Sequence, residues 1–202
     1  CSDDIINLQS DINALHDWCL TWNLSVNYSK CLCITFSRKH TNNTHLAAYH
    51  INRRVIKRID EVQDLGVIFD HKLTFNSHIA HTVTCSYKLL GYIRRQCTLF
   101  YDIEVLFLLF NSFVRTKLEY CSVVWNSPKK GTIQILENVQ MSFVKWMCCG
   151  LQIPYNSEFY QIYCKLFDIC TLVSLRQYLE LLFLKKLRDG RIDSTTLLSV
   201  IN

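Results

Sequence analysis

The chain has 202 residues, half of them hydrophobic, with only 2 prolines and 5 glycines. That composition argues against a disordered chain or a repeat solenoid and supplies enough apolar mass for a sizeable core. A formal net charge of +5 is compatible with a polyanionic partner without establishing one.

The first expected element is a helix. Ile5, Leu8, Ile12, Leu15, Cys19 and Trp22 fall at helical spacing, Ser2 or Asp3 suits the N-cap, and one face of this helix is expected to pack on a sheet. The helix ends at Asn23 or Leu24. A turn through Ser25-Val26-Asn27 then delivers Lys30 to a short strand, Cys31 to Phe36, in which apolar and small residues alternate. Ser37 to Thr44 reads as a polar loop. Tyr49 to Ile51 and Val55 to Ile59 read as a hairpin around Asn52-Arg53-Arg54, and Val62 to Phe69 as a further strand with Gly66 at its centre.

From Thr74 onward the period becomes helical. Ile79, Val83, Leu90 and Ile93 mark a helix from about Asn76 to Gln96. Val105, Leu108, Leu109, Phe113 and Leu118 mark a second, with Pro128 stopping its extension. Ile133, Leu136, Gln140, Phe143 and Met147 mark a third, punctuated by Gly150 and Pro154. Further helices are expected over Ser157 to Phe167 and Leu172 to Lys186, with a turn at Asp189-Gly190 before a short last helix. The fold class expected is α+β. Residues 1–72 carry a helix, short strands and a hairpin, and residues 73–202 form an all-helical bundle.

The 11 cysteines form no framework. Most sit in apolar stretches, where reduced cysteine acts as a small hydrophobe, and no C-x-x-C spacing points to zinc. His78-x-x-His81 has no third ligand in view, so no metal site is assigned. The pattern suits a reducing intracellular setting, nuclear or cytoplasmic. No secretory leader is visible, and the most apolar run, Ile103 to Val114, is too short to span a bilayer. The opening residue, Cys1, points to a piece of a longer protein. Basic residues cluster at Arg53, Arg54, Lys57 and Arg58, at Arg94 and Arg95, at Lys129 and Lys130, and at Lys185, Lys186 and Arg188; solvated helix ends are the plain reading of each.

Trp18 to Lys39 reads W-C-L-T-W-N-L-S-V-N-Y-S-K-C-L-C-I-T-F-S-R-K, and Asp64 to Asp70 reads D-L-G-V-I-F-D. Helix, Asn27-x-x-Lys30, strand, hairpin and Leu65-Gly66-Val67, in that order, resemble the last palm motifs of reverse transcriptases of non-LTR (LINE-type, jockey-like) retrotransposons. The resemblance continues into the thumb of that family. It runs through Phe75-x-x-His78-Ile79, Leu90-Gly91-x-Ile93-Arg94, Val114-Arg115-x-x-Leu118-Glu119-Tyr120, Val124-Trp125, Leu136-Glu137-x-Val139-Gln140 and Asp189-Gly190-Arg191-Ile192-Asp193. Two departures stand out. Gln63-Asp64 precedes Leu65 where the family carries an aromatic, and Arg176-Gln177 replaces a usual Arg-Arg pair.

The resemblance implies the palm end and thumb of an RNA-directed DNA polymerase whose catalytic aspartates, palm strands and fingers lie upstream. Mg²⁺ is then expected for the intact enzyme and no cofactor for this piece. It implies that Lys30 sits near the incoming nucleotide's phosphates, acting electrostatically or as a proton donor to pyrophosphate. It also implies that Leu65 and Gly66 form a primer grip. An RNA template and DNA primer duplex would be held through Arg53, Arg54, Lys57, Arg94, Arg95, Lys129 and Lys130 by salt-sensitive contacts. Ser2-Asp3-Asp4 superficially matches the family's aromatic-Ala-Asp-Asp metal turn. However, Ile5 begins the helical stripe at once, and acidic residues suit a helix N-terminus without any metal. The rival expectation is a non-catalytic helical module that binds nucleic acid or protein. Because the sheet edge would lie open, marginal stability in isolation is also expected.

Overall fold

The computed structural model describes residues 2–37, 47–98 and 101–201. Apart from Ser37, the expected polar loop from Ser37 to Thr44 lies outside them. The fold is α+β, and the chain divides into two compact units, Cys1–Phe75 and Asn76–Asn202.

In the first unit, helix α1 spans Ser2–Thr21. Six short strands follow among the described residues: β1 Leu32–Cys33, β2 His50–Ile51, β3 Arg54–Val55, β4 Lys57–Arg58, β5 Glu61–Asp64 and β6 Val67–Asp70. They pair two by two, β1 with β4 in parallel and β2 with β3 and β5 with β6 antiparallel. The stripe expected to pack on a sheet is largely uncovered: Ile5, Leu8, Leu15 and Trp22 are exposed, Trp22 at 65%, and only Ile12 and Cys19 are half-buried. Two-residue ladders are too small to cover a helix of this length. What ties α1 down is polar: the Gln9 amide Nε2 donates to the carbonyl of His50 (2.8 Å), and the His50 N–H donates back to Gln9 Oε1 (2.9 Å).

Two expected strands are subdivided. Val62 to Phe69 is a hairpin, with Val62 opposite Phe69 and Asp64 opposite Val67. Its two turn residues have positive φ, Leu65 at 44° and Gly66 at 84°. Two-residue hairpin turns demand that conformation because it matches strand twist. Val55 to Ile59 likewise splits: Arg54–Val55 closes the first hairpin, and Lys57–Arg58 turns to pair with β1. The last strand ends on Asp70, whose Oδ1 accepts from Lys72 N and Thr74 N (3.0 and 3.1 Å) and whose Oδ2 accepts from Thr74 Oγ1 and Phe75 N (3.1 and 2.6 Å).

The second unit is helical. Helix α2, Asn76–Gln96, buries Ile79, Leu90 and Ile93. Helix α3, Ile103–Leu109, is capped by Asp102, which accepts from Glu104 N and Val105 N. It continues through a π-helical turn, Phe110–Arg115, into α4, Thr116–Glu119. The expected second helix therefore stops well before Pro128. Cys121 adopts a left-handed conformation (φ 52°), and a short α5, Ser122–Trp125, follows. Helices α6 Lys130–Gly150, α7 Tyr160–Leu166, α8 Leu172–Arg188 and α9 Thr195–Ile201 complete the unit.

Its core is aromatic and aliphatic. Phe110 and Phe143 stack at 4.0 Å between centroids, and Leu118, Trp125, Leu136, Val139 and Met147 are buried around them. No helix among the described residues is long and apolar enough to cross a membrane.

Candidate nucleic-acid interface

In the first unit the Asn27-x-x-Lys30 spacing has a local cause. Asn27 caps a 3-10 turn over Tyr28–Lys30, its Oδ1 accepting from the N–H and the hydroxyl of Ser29 (3.1 and 2.6 Å). The Lys30 N–H donates to the Asn27 carbonyl (3.1 Å), so both ends of the motif belong to one hydrogen-bonded turn, and the Lys30 side chain is left exposed. The parallel pairing then sets Leu32 opposite Lys57 and Cys33 opposite Arg58.

Tyr28 is the residue that sequence reasoning passed over. Its ring lies 5.0 Å beneath the Arg54 guanidinium. Its hydroxyl meets a His16 ring nitrogen at 3.1 Å and accepts from Asn52 Nδ2 at 3.5 Å. These contacts hold the basic hairpin beside the lysine turn. Asn52 and Arg53 both have positive φ (47° and 63°), an unusual state for an arginine, and Arg53, Arg54 and Lys57 are exposed. An aromatic directly after Asn27 was the one available signal for Tyr28. Arg58 is different: it donates to Thr35 Oγ1 and to the Ala47 carbonyl and serves the fold.

Leu65 and Gly66 occupy the tip of the second hairpin. Leu65 is 82% exposed with φ in a region that branched apolar side chains rarely adopt. Asp64 is exposed beside it.

In the second unit the expected Arg94–Arg95 pair is divided. Arg94 donates to the Ser142 carbonyl, lies 5.5 Å from the Trp146 ring, and is pushed below its ordinary pKa by burial, with Tyr87 opposing. Arg95 is exposed. Lys129 and Lys130 stand exposed at the start of α6. Cations are electrostatically unfavourable at that end of a helix.

The largest polar feature of this unit is internal. Glu137 Oε1 accepts from the Tyr160 hydroxyl (2.6 Å) and Leu172 N (3.2 Å), and its Oε2 accepts from Val173 N (3.3 Å). Gln140 Nε2 donates to the Tyr160 oxygen and the Cys170 carbonyl. Arg176 donates to the Leu118 carbonyl and Asn126 Oδ1 and lies 4.4 Å over the Trp125 ring. A cavity of about 320 Å³ opens beside Asn126, Ile133, Arg176 and Glu180. On its walls Glu137 joins α6 to the start of α8 and Asn126 binds Arg176 and Glu180, while Arg176 Nε is buried with no hydrogen-bond partner among the described residues.

Asp3 and Asp4 lie in the first turn of α1 and are exposed. Among the described residues no three His, Cys, Asp or Glu side chains gather into a site that could hold a metal ion. Two exposed carboxylates in the first turn of a helix do not fit a two-metal polymerase centre. Every cysteine among the described residues is a free thiol.

No family model matches the chain, and no solved structure does. Two curated relatives match. The RNA-directed DNA polymerase from mobile element jockey of Drosophila funebris is 35% identical over 72 residues, which is 36% of this chain and 8% of that protein. The protein of the same name from Drosophila melanogaster is 31% identical over 74 residues, 37% of this chain and 8% of its own length. The similarity thus covers less than a tenth of each relative. Over that segment, this chain is similar to the RNA-directed DNA polymerases from mobile element jockey.

Proposed function

We propose that the chain supplies nucleic-acid grip to an RNA-directed DNA polymerase and carries no polymerase centre of its own. The observation that carries this reading is its similarity to the jockey polymerases. Two features of its surface support it. The first is the exposed cluster of Lys30, Arg53, Arg54 and Lys57 assembled around Tyr28. The second is the pair Lys129 and Lys130 at a helix end where their charge weakens the fold unless an anion relieves it. The partner on this reading is an RNA template paired with a DNA primer, with Leu65 and Gly66 as a primer-side contact and Lys30 facing nucleotide phosphates. The intact enzyme would work with Mg²⁺.

The test is fluorescence anisotropy with a labelled RNA–DNA hybrid at several salt concentrations, alongside primer extension with Mg²⁺. The reading requires affinity that falls linearly on logarithmic axes as salt rises, and no extension by the chain alone. Extension that an Asp4→Ala change abolishes would overturn the second half.

A second reading, a protein-binding module, is favoured by one observation: Trp18 on α1 and Trp22 just beyond its end lie exposed, 6.3 Å apart between ring centroids. Absence of salt-dependent hybrid binding would favour it over the first.

A further inference from the structure

Arg176 and Glu180 stand one turn apart on α8, where a guanidinium and a carboxylate can meet directly. No ion pair joins them. The side-chain amide of Asn126 lies between them instead. Its Oδ1 accepts from Arg176 Nη1 (3.2 Å), and its Nδ2 donates to Glu180 Oε1 (2.6 Å). The two residues thus form a clamp with a donor on one side and an acceptor on the other, and what it already holds is a carboxamide.

The clamp is only half occupied. Arg176 is 4% exposed; its Nη1 and Nη2 donate to Asn126 and Leu118, and its Nε is buried without an acceptor. A buried donor left unmade costs free energy that a bound acceptor would recover. The second carboxylate oxygen of Glu180 has no hydrogen bond among the described residues. Both side chains line the cavity of about 320 Å³, together with Ile133, Leu136, Leu172 and Val173. Aliphatic walls around a few convergent polar groups are how small-molecule sites are built, and this volume is at the lower end of their range.

Charge narrows the ligand. Glu137 and Glu180 also line the cavity against the single cation Arg176, so an anion would face two carboxylates. A cation would face the guanidinium and leave Nε–H unpaired. An uncharged amide meets neither penalty and offers both partners, a carbonyl oxygen and an N–H.

We infer that this cavity is a binding site for a small uncharged carboxamide carried on an apolar body, its carbonyl accepting from Arg176 Nε and its N–H donating to the free oxygen of Glu180. The apolar body lies against Ile133, Leu172 and Val173, so its burial supplies affinity and the clamp supplies selectivity. The site is independent of the nucleic-acid reading above.

The experiment titrates the full chain with benzamide, benzoate and benzylamine, which share one ring and differ in charge, and follows binding by saturation-transfer NMR. Benzamide should bind about tenfold more tightly than either charged analogue. Glu180→Gln keeps an acceptor for Asn126 but puts a donor where the free oxygen was, and should weaken benzamide roughly tenfold. Ile133→Trp fills the cavity without touching the clamp and should abolish binding; Val173→Trp does the same from α8. Thermal melting identifies the variants that fold, and the three probes on wild type decide the head group without any variant. Benzoate or benzylamine binding as tightly as benzamide overturns the site. So does benzamide that fails to bind wild type at about 10 mM, or that binds a folded variant as well as wild type.

Discussion

Gln9 and His50 face each other as a strand and its partner would: one side-chain amide trades two hydrogen bonds, 2.8 and 2.9 Å, with one backbone residue. The helix thereby satisfies the open edge of β2 with a side chain. Replacing Gln9 by Glu keeps the acceptor for the His50 N–H but turns a donor into a carboxylate that faces the His50 carbonyl. The site is exposed, so the expected cost is modest, about 1 kcal/mol. A urea midpoint lower than that of wild type at unchanged m-value is the readout; no shift would mean that α1 is held by something else.

Asp70 gives the first unit a dependence on acid. Burial alone would raise its pKa, but the backbone N–H groups of Thr74, Phe75 and Lys72 and the Thr74 hydroxyl outweigh it and hold the carboxyl below its ordinary value. A carboxyl lowered in the fold contributes stability above the pKa of the unfolded chain, about 3.9. That contribution is lost as pH falls through the native value. Asp70→Asn should cost about 2 kcal/mol at neutral pH. The gap between variant and wild type should shrink on acidification below about pH 4. A gap that stays constant with pH would show that the charge is irrelevant.

Tyr160 carries the opposite dependence. Burial first, then the neighbouring Glu137 carboxylate, raises its pKa well above the ordinary range. The stability it contributes is complete below about pH 10, the unfolded value, and is lost as the solution becomes more alkaline. Tyr160→Phe takes the shortest hydrogen bond from Glu137 and one acceptor from Gln140. It should cost roughly 1–2 kcal/mol at neutral pH and flatten the alkaline limb of the stability curve. Denaturation series on both proteins through the alkaline range decide it.

Arg176 is 4% exposed, and burial brings its pKa down to about 10 against the opposing pull of Glu137, Glu119 and Glu180. Its guanidinium joins α8 to the end of α4 through Leu118, to Asn126 after α5, and to the Trp125 ring. Arg176→Ala should destabilise the helical unit by about 3 kcal/mol, from lost packing and an orphaned carbonyl. Arg176→Met, which restores much of the volume without the charge, should recover part of the loss. Equal melting temperatures for the two variants would put the whole effect in the hydrogen bonds.

How far the sequence could be read depended on what kind of force shaped each element. Helix α2 was legible from end to end, because a long run at a single period outweighs local accidents. The hairpin at Leu65-Gly66 was misjudged as continuous strand: its turn needs positive φ at a leucine, which residue preferences argue against. The helix after Asp102 read as unbroken because the left-handed Cys121 that ends it carries no mark of a stop signal. At the surface, adjacency misled. Arg94 and Arg95 look alike in sequence, yet helical rotation sends one toward Ser142 and Trp146 and the other to solvent. The resemblance was read from ordered short motifs, whose local causes, such as the Asn27 cap, became visible only in three dimensions.

The π-helical turn at Phe110–Arg115 has a bearing on how this segment tolerates change in length. Leu106, Phe110, Val114 and Leu118 recur every fourth position, and all four are fully buried. In an uninterrupted α-helix such a row would precess by about 40° at each step and by about 120° from first to last, carrying Leu118 off the buried face. The wider turn absorbs that drift and keeps the row straight. Removing one exposed residue inside it, Asn111 or Ser112, would leave a regular helix with spacings of four, three and four, whose row ends within about 20° of where it began, so this turn is where the segment can lose a residue and still face the core.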